Sequence, residues 1–250
     1  MLSIEFASLS DRGRVRLNNE DSCGQFVPES ASEADERGMV FVVADGMGGH
    51  RGGEIASRIA VRTILAFYSA DSEGDRSRAL TRAFHEANQT IIQEAVADST
   101  LFGMGTTCTA LALHHGRAYF AHVGDSRAYM LRHGKIQQIT YDHSIVGEMV
   151  RSGIITDEDA RTHPKRNVIT RSLGAQAELA TDTPGTVELE RGDTFLLCSD
   201  GLTAYLSDLD LTVVLATNPP EEACKKLVKM ANEQGGRDNI TVQIVTVRAL

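Results

Sequence analysis

The sequence predicts an α+β fold built on antiparallel strands, and three observations carry that reading. Segments whose apolar residues recur at every second position follow one another without the long crossovers that parallel pairing needs. Two of the joints between them, HHGR at 114–117 and RHGK at 132–135, are short and carry glycine, as hairpin turns do. Long runs of helical period lie before and after these central strands.

Taken in order, 4–9 alternates (IEFASL) and reads as a half-buried strand, whereas 39–44 (MVFVVA) is apolar throughout and belongs inside a core. From 54 to 68 the apolar positions include Ile55, Ile59, Ile64 and Tyr68. From 77 to 97, Leu80, Phe84, Ala87, Ile91 and Ala95 draw one stripe along a helix, so two adjacent helices are expected to cover one sheet face. Strands at 106–113, 118–123, 128–131 and 135–139 follow and predict a meander. The stretch 141–166 is polar, with a short amphipathic piece at 145–150. After a strand at 194–198, DLDLT at 208–212 reads as a helix start with capping acids. Pro219 and Pro220 open a last helix that Gly235 and Gly236 stop, and an alternating strand at 240–247 closes the sequence.

With 250 residues, 42% of them hydrophobic, the chain can bury a full core, and one domain spanning 1–250 is expected. No apolar run approaches a membrane helix, and the first residues lack a signal peptide's basic and apolar regions. A cytoplasmic protein with no membrane partner is expected. The net charge of −9 argues against a nucleic-acid surface. Cys23, Cys108, Cys198 and Cys224 form no CxxC pair and read as buried free thiols.

Acids recur where apolar strands stop. FVVADGMGGH at 41–50 ends its core run on Asp45 and Gly46, and TFLLCSDG at 194–201 repeats the pattern with Asp200 and Gly201. YFAHVGDS ends in Asp125, GGRDN places Asp238 just before the last strand, and NNEDS holds Glu20 and Asp21. One Asp-Gly alone is a turn; five such places suggest convergence. Carboxylates without His or Cys partners form a hard-oxygen environment suited to magnesium, manganese or calcium. Gly46, lacking a side chain, would let an ion approach its carbonyl. Two ions a few ångströms apart can activate a shared water for attack at phosphorus, and Arg16 could offer the fork that phosphate oxygens prefer.

GRVRLNNEDS, VVADGMGGHRGGEIAS, GTTCTA, HVGDSRAY, NVITRSLG, LLCSDGL and GGRDNITV, in that order from Ser8 to Val247, resemble the successive motifs of the metal-dependent protein phosphatases, the type 2C serine/threonine family, in bacterial form. The resemblance implies a four-layer α/β/β/α sandwich, two antiparallel sheets flanked by helix pairs. It implies Mn2+ or Mg2+, two ions tightly bound and a third weaker one. Carried over, Asp45 bridges two ions, Gly46 gives its carbonyl to one, and Asp200 and Asp238 complete a site. Glu20 and Asp21 hold metal-bound waters, Asp125 with Asp200 holds the third ion, and Arg16 binds the substrate phosphate. The segment 141–166 resembles a flap. The implied partners are phosphorylated proteins, among them a cognate serine/threonine kinase and its substrates, met by a monomer.

One departure is Met47, where eukaryotic members have a histidine proposed as general acid. The expected donor is then a metal-bound water at the Asp125 ion rather than His50. Competing readings fail on spacing. No cysteine is followed six residues later by arginine, which excludes cysteine phosphatases, and DLDLT lies too late for an aspartyl-phosphate site. The glycines after Asp45 lack the third position of a dinucleotide loop, and Asp45 would repel a pyrophosphate. A catalytically silent phosphopeptide-binding module is the alternative; Asp45, Asp200 and Asp238, all present, weigh against it. His122 reads as a sheet residue and His114, His115 and His133 as turn residues.

Overall fold

The computed structural model describes residues 2–48, 52–71 and 74–250. Its strands are β1 (Ser3–Asp11), β2 (Asp21–Phe26), β3 (Met39–Met47), β4 (Gly105–Thr106), β5 (Cys108–His114), β6 (Arg117–Val123), β7 (Arg127–Arg132), β8 (Lys135–Gln138), β9 (Thr186–Glu188), β10 (Thr194–Cys198) and β11 (Ile240–Ala249). The helices are α1 (Ala31–Arg37), α2 (Gly52–Ala70), α3 (Arg76–Ala97), α4 (Ile145–Arg151), α5 (Asp157–Thr162), α6 (Asp200–Thr203), α7 (Asp208–Thr217) and α8 (Pro220–Glu233).

One sheet runs β1-β11-β10-β7-β8 and the other β2-β3-β5-β6-β9, with β4 attached to β3. Every pairing is antiparallel. The sheets face each other across Phe41, Val43, Leu111 and Phe120 on one side and Met130, Phe195, Leu197 and Val245 on the other. Outside the second sheet, α2 and α3 bury Ile59, Ile64, Leu80, Phe84 and Ile91. Outside the first, α7 and α8 bury Leu211, Leu215, Leu227 and Val228. The result is the four-layer sandwich.

The helical stripe at 77–97 is the buried face of α3, and DLDLT opens α7, where Ser207 and Asp210 form a capping box. Both glycine joints are hairpin turns with consecutive positive φ, at His115 and Gly116 and at His133 and Gly134. His114, however, is the last residue of β5 rather than a turn residue; it is buried, its Nε2 against the Asp35 carbonyl at 2.8 Å.

The expected meander is broken. β5 pairs β6 and β7 pairs β8, but β6 and β7 lie in different sheets. Between them the chain crosses the sandwich through Gly124, Asp125 and Ser126. Gly124 has φ +111, and a Cβ there would come within 2.5 Å of the Thr107 side chain, so glycine permits the crossing. The segment 141–166 holds two short helices, α4 and α5. All four thiols are free; Cys108, Cys198 and Cys224 are buried, and Cys23 is half-buried.

Candidate active site

The site forms at the end of the sandwich where the sheets exchange the chain. Pairing of β2 with β3 sets Asp21 directly opposite Asp45. Asp45 is fixed by the threonines beside β4: its N–H donates to Thr107 Oγ1 at 3.0 Å, and its carbonyl accepts from Thr107 N–H at 2.8 Å and Thr106 Oγ1 at 2.9 Å. Thr107 Oγ1 also meets Ser126 Oγ at 2.7 Å, so one residue ties Asp45 to the crossing that carries Asp125.

From the other sheet, β10 delivers Ser199 and Asp200, and the start of β11 delivers Asp238 and Asn239. Ser199 Oγ donates to Asp21 Oδ2 at 2.7 Å and accepts from Thr241 N–H at 2.9 Å. Asn239 is a hub. Its Oδ1 accepts from Glu20 N–H at 2.8 Å, and its Nδ2 donates to the carbonyls of Arg12 (3.0 Å) and Asn18 (2.9 Å). The loop bearing Arg16 and Glu20 is thereby pinned to β11. Arg16 Nη2 lies 2.7 Å from Asp238 Oδ2.

Gly46 is demanded by close backbone approach. A Cβ there would stand 2.1 Å from the Gly53 carbonyl oxygen and 2.6 Å from that of Glu20. Gly46 N–H donates to Glu20 O at 3.2 Å, and Ser57 Oγ donates to the same oxygen at 2.6 Å. The sequence-level reason, free approach of an ion, is not the one the packing supplies.

Electrostatics show that the acids converge. Burial pushes the Asp45 carboxyl well above the ordinary range, and Asp21, Asp200, Asp125 and Asp238 push it further. Burial lifts Asp21 to about 7, against hydrogen bonds that hold it down, with Asp200 and Asp238 adding repulsion. Asp200 rises to about 6 through burial and then Asp238, although it shares a hydrogen bond with Asp45. Asp125 is raised by burial first and by Asp200 next. Glu20, half-buried, is raised by burial while Arg16 opposes. Each predicted site residue that is described, from Arg16 through Asp238, is thus brought to one place. His50 lies outside the described residues.

Among the described residues, no three His, Cys, Asp or Glu side chains grip a common point as they stand. Arg16 engages Asp238, and Asp45 engages Asp200. The donor set nevertheless fits a hard divalent cation. It is all oxygen and crowded with like charge, and Asp21 Oδ1 is buried with no hydrogen-bond partner.

Behind the crossing lies support that the sequence did not single out. Arg127 grips Asp142 with two hydrogen bonds, Nε to Oδ1 at 2.8 Å and Nη2 to Oδ2 at 2.7 Å. His143 Nδ1 accepts from Gly124 N–H at 3.1 Å, which leaves Nε2 as the protonated nitrogen facing Asp182 Oδ2 at 3.1 Å. His122 is a buried sheet residue, its Nδ1 on Thr109 Oγ1 at 2.9 Å.

Against known proteins, residues 12–241 match the family model described as protein phosphatase 2C. The chain belongs to that family. It is a metal-dependent phosphoprotein phosphatase. It is 39% identical to protein phosphatase PhpP of Streptococcus pneumoniae over 248 residues, 98% of each chain. It is 37% identical to the serine/threonine phosphatase stp of Listeria innocua, over 94% of this chain and 93% of that protein. Among solved structures it resembles the Mycobacterium tuberculosis serine/threonine phosphatase PstP, with TM-score 0.88, 36% identity and full coverage of both chains. It also resembles the catalytic domain of PstP in complex with two manganese ions, with TM-score 0.87, 35% identity and full coverage of both chains. The two-sheet architecture agrees with these relatives.

Proposed function

We propose that this phosphatase hydrolyses phosphoserine and phosphothreonine monoesters on proteins by in-line attack of water, and that it reverses a cognate serine/threonine kinase. The observation that carries the reading is the mutual repulsion of Asp21, Asp45, Asp125, Asp200 and Asp238 at one end of the sandwich, with Arg16 beside them. Buried like charges persist in a fold when a cation uses them.

Asp45, Asp200, Asp238 and the Gly46 carbonyl would hold two tightly bound ions, with Glu20 and Asp21 around them and Asp125 with Asp200 at a third, weaker one. Bound Mn2+ or Mg2+ would supply an activated water and neutralise charge on the phosphoryl oxygens. Arg16, exposed above the acids, would turn its guanidinium to two phosphate oxygens, which exchanges Asp238 for substrate. Ser199 would hold the Asp21 carboxylate, and Thr107 and Asn239 the backbones of Asp45 and of the loop bearing Arg16 and Glu20, in place. Met47 offers only a thioether, so Asp125 would hold the water that supplies a proton to the departing alkoxide.

A single catalytic domain over 1–250, with 141–166 as a flap over substrate, completes the proposal, together with a monomeric state and a cytoplasmic location. Among the described residues, no helix is long and apolar enough to cross a membrane. The test is hydrolysis of p-nitrophenyl phosphate with manganese and with chelator, on wild type and Asp45→Asn. Turnover that needs both metal and Asp45 supports the enzyme. Phosphopeptide binding without turnover would make the chain a silent recognition module.

A further inference from the structure

The loop that carries Arg16 carries more cation than one phosphate needs. Arg12, Arg14 and Arg16 lie within five positions, and no acid occurs between Arg12 and Asn19, in a chain whose net charge is −9. A second segment docks on this loop: Arg14 N–H donates to Gly236 O at 2.7 Å, and the Arg14 side chain passes over Gly236, beside Arg237. Arg12, Arg14 and Arg237 are all exposed.

The acids on these two segments are already engaged. Asp11 Oδ1 accepts from Gly13 N–H at 2.8 Å and from Asn232 Nδ2 at 3.1 Å. Glu233 faces Lys229, and Asp238 faces Arg16. Arg12 Nη1 spends its contact on the Leu17 carbonyl at 3.1 Å, a neutral acceptor. Among the described residues, none of Arg12, Arg14 and Arg237 forms an ion pair. Their backbones are fixed nonetheless: Asn239 holds the Arg12 carbonyl, Gly236 holds the Arg14 amide, and Tyr205 Oη accepts from Arg237 N–H at 3.1 Å. Three guanidinium groups without ion pairs thus stand on a braced rim beside Arg16, the residue proposed to bind the phosphate.

We propose that Arg12, Arg14 and Arg237 select phosphoproteins whose phosphorylated residue is flanked by Asp or Glu. The proposal rests on the phosphatase reading of Arg16 and the acid cluster, and it adds the substrate class. The ligand is extended acidic polypeptide, because the three arginines lie on the loop of Arg16 and on the segment docked against it rather than at a single point. The overall negative charge disfavours long polyanions such as nucleic acid while leaving this local patch effective at short range.

The test uses two phosphothreonine peptides identical except for Glu or Gln at the flanking positions, with p-nitrophenyl phosphate as a substrate that has no flanks. For wild type at low salt, kcat/KM is expected to favour the Glu peptide by about tenfold, the combined effect of a few exposed charge pairs. Arg14→Glu with Arg237→Glu is expected to abolish or invert that ratio and leave p-nitrophenyl phosphate turnover unchanged. Raising salt is expected to shrink the wild-type ratio and not the variant's. An unchanged ratio in the double variant overturns the proposal. If neither peptide were hydrolysed, the phosphatase reading would fail. The Kd values of the two peptides on the wild-type protein, measured by calorimetry, would still decide the rim: a Glu preference supports it and equal affinity overturns it.

Discussion

Asp21→Asn isolates what the acid cluster costs the fold. The Asp21 carboxyl is buried, with Oδ2 on Ser199 Oγ at 2.7 Å and Oδ1 unpartnered, and its pKa is pushed up to about 7. An asparagine keeps an oxygen for Ser199 and cannot ionise. A carboxyl whose pKa rises on folding holds its proton more tightly in the native state than in the unfolded one. Stability is therefore lost as pH climbs from the unfolded value, about 3.9, through the folded value. Three pKa units correspond to about 4 kcal/mol lost between pH 4 and pH 7.5, at about 1.4 kcal/mol per unit. For a chain of this size that is a fall in Tm of about 8 to 16 °C in chelator. Asp21→Asn is expected to lack this part of the fall, so that at pH 7.5 in chelator the variant melts above wild type, while near pH 4 the two coincide. Manganese at a hundred times its Kd is expected to restore about 2.7 kcal/mol per site to wild type at pH 7.5, and much less near pH 5, where protons compete for the carboxylates. The assay is differential scanning fluorimetry across pH, with and without metal. A wild-type Tm in chelator that stays flat or rises from pH 5 to 7.5, or a variant that tracks it in parallel, would refute the reasoning.

Asp45→Asn, Asp200→Asn and Asp238→Asn are each expected to lower kcat by about 10²-fold or more at saturating manganese, read with p-nitrophenyl phosphate, since each removes a charge preorganised toward the reacting centre. Arg16→Ala is expected to lower kcat/KM by about 1.5 to 3 kcal/mol while calorimetry shows manganese affinity kept or raised, because Asp238 loses the cation it now faces. Asp125→Ala is expected to retain two tight manganese sites in calorimetry and to turn over more slowly, phosphopeptide more than p-nitrophenyl phosphate. Asp142→Ala removes two hydrogen bonds from the Arg127 guanidinium, whose side chain is 23% exposed and whose Nη1 keeps the Tyr129 hydroxyl at 3.0 Å. It is expected to destabilise the fold by about 1.5 to 3 kcal/mol in urea unfolding, the range for losing hydrogen bonds to a charged group.

What the sequence made legible was whatever is written locally. β3 could be read because MVFVVA is buried on both faces, and Asp45 and Asp200 because each ends such a run beside glycine. β2 escaped because DSCGQF is polar and mostly half-buried; it is a strand by virtue of pairing with β3. α1 escaped because it buries nothing and is held by its Ser30 cap, and β9 is three residues long. The broken meander could not be seen either, since a period of two states that a strand has an inner face and not which sheet owns it. The residues that brace the site were hidden for a related reason. Ser199, Thr107 and Asn239 are ordinary polar residues whose partners lie 42, 62 and 219 positions away.

The crossing between β6 and β7 brings the acid cluster and its bracing together. Asp125 sits on it, and so do the contacts that begin the 141–166 segment: His143 N–H donates to Gly124 O at 2.7 Å, and Gly124 N–H returns to His143 Nδ1. One position further out, Asp142 clamps Arg127, two residues beyond Asp125. The segment 141–166 therefore does not hang from a free loop; its first residues are bonded to the same turn that carries Asp125. Met47 has no proton to donate, so the proposed chemistry would lean on Asp125, whose turn residues 142–143 hold. In the proposed flap, the outer part can move without breaking these bonds, whereas movement at 142–143 pulls on the turn that carries Asp125. In the proposed reaction, peptide selection and leaving-group departure would meet at this turn, which the half-buried Arg127–Asp142 pair braces.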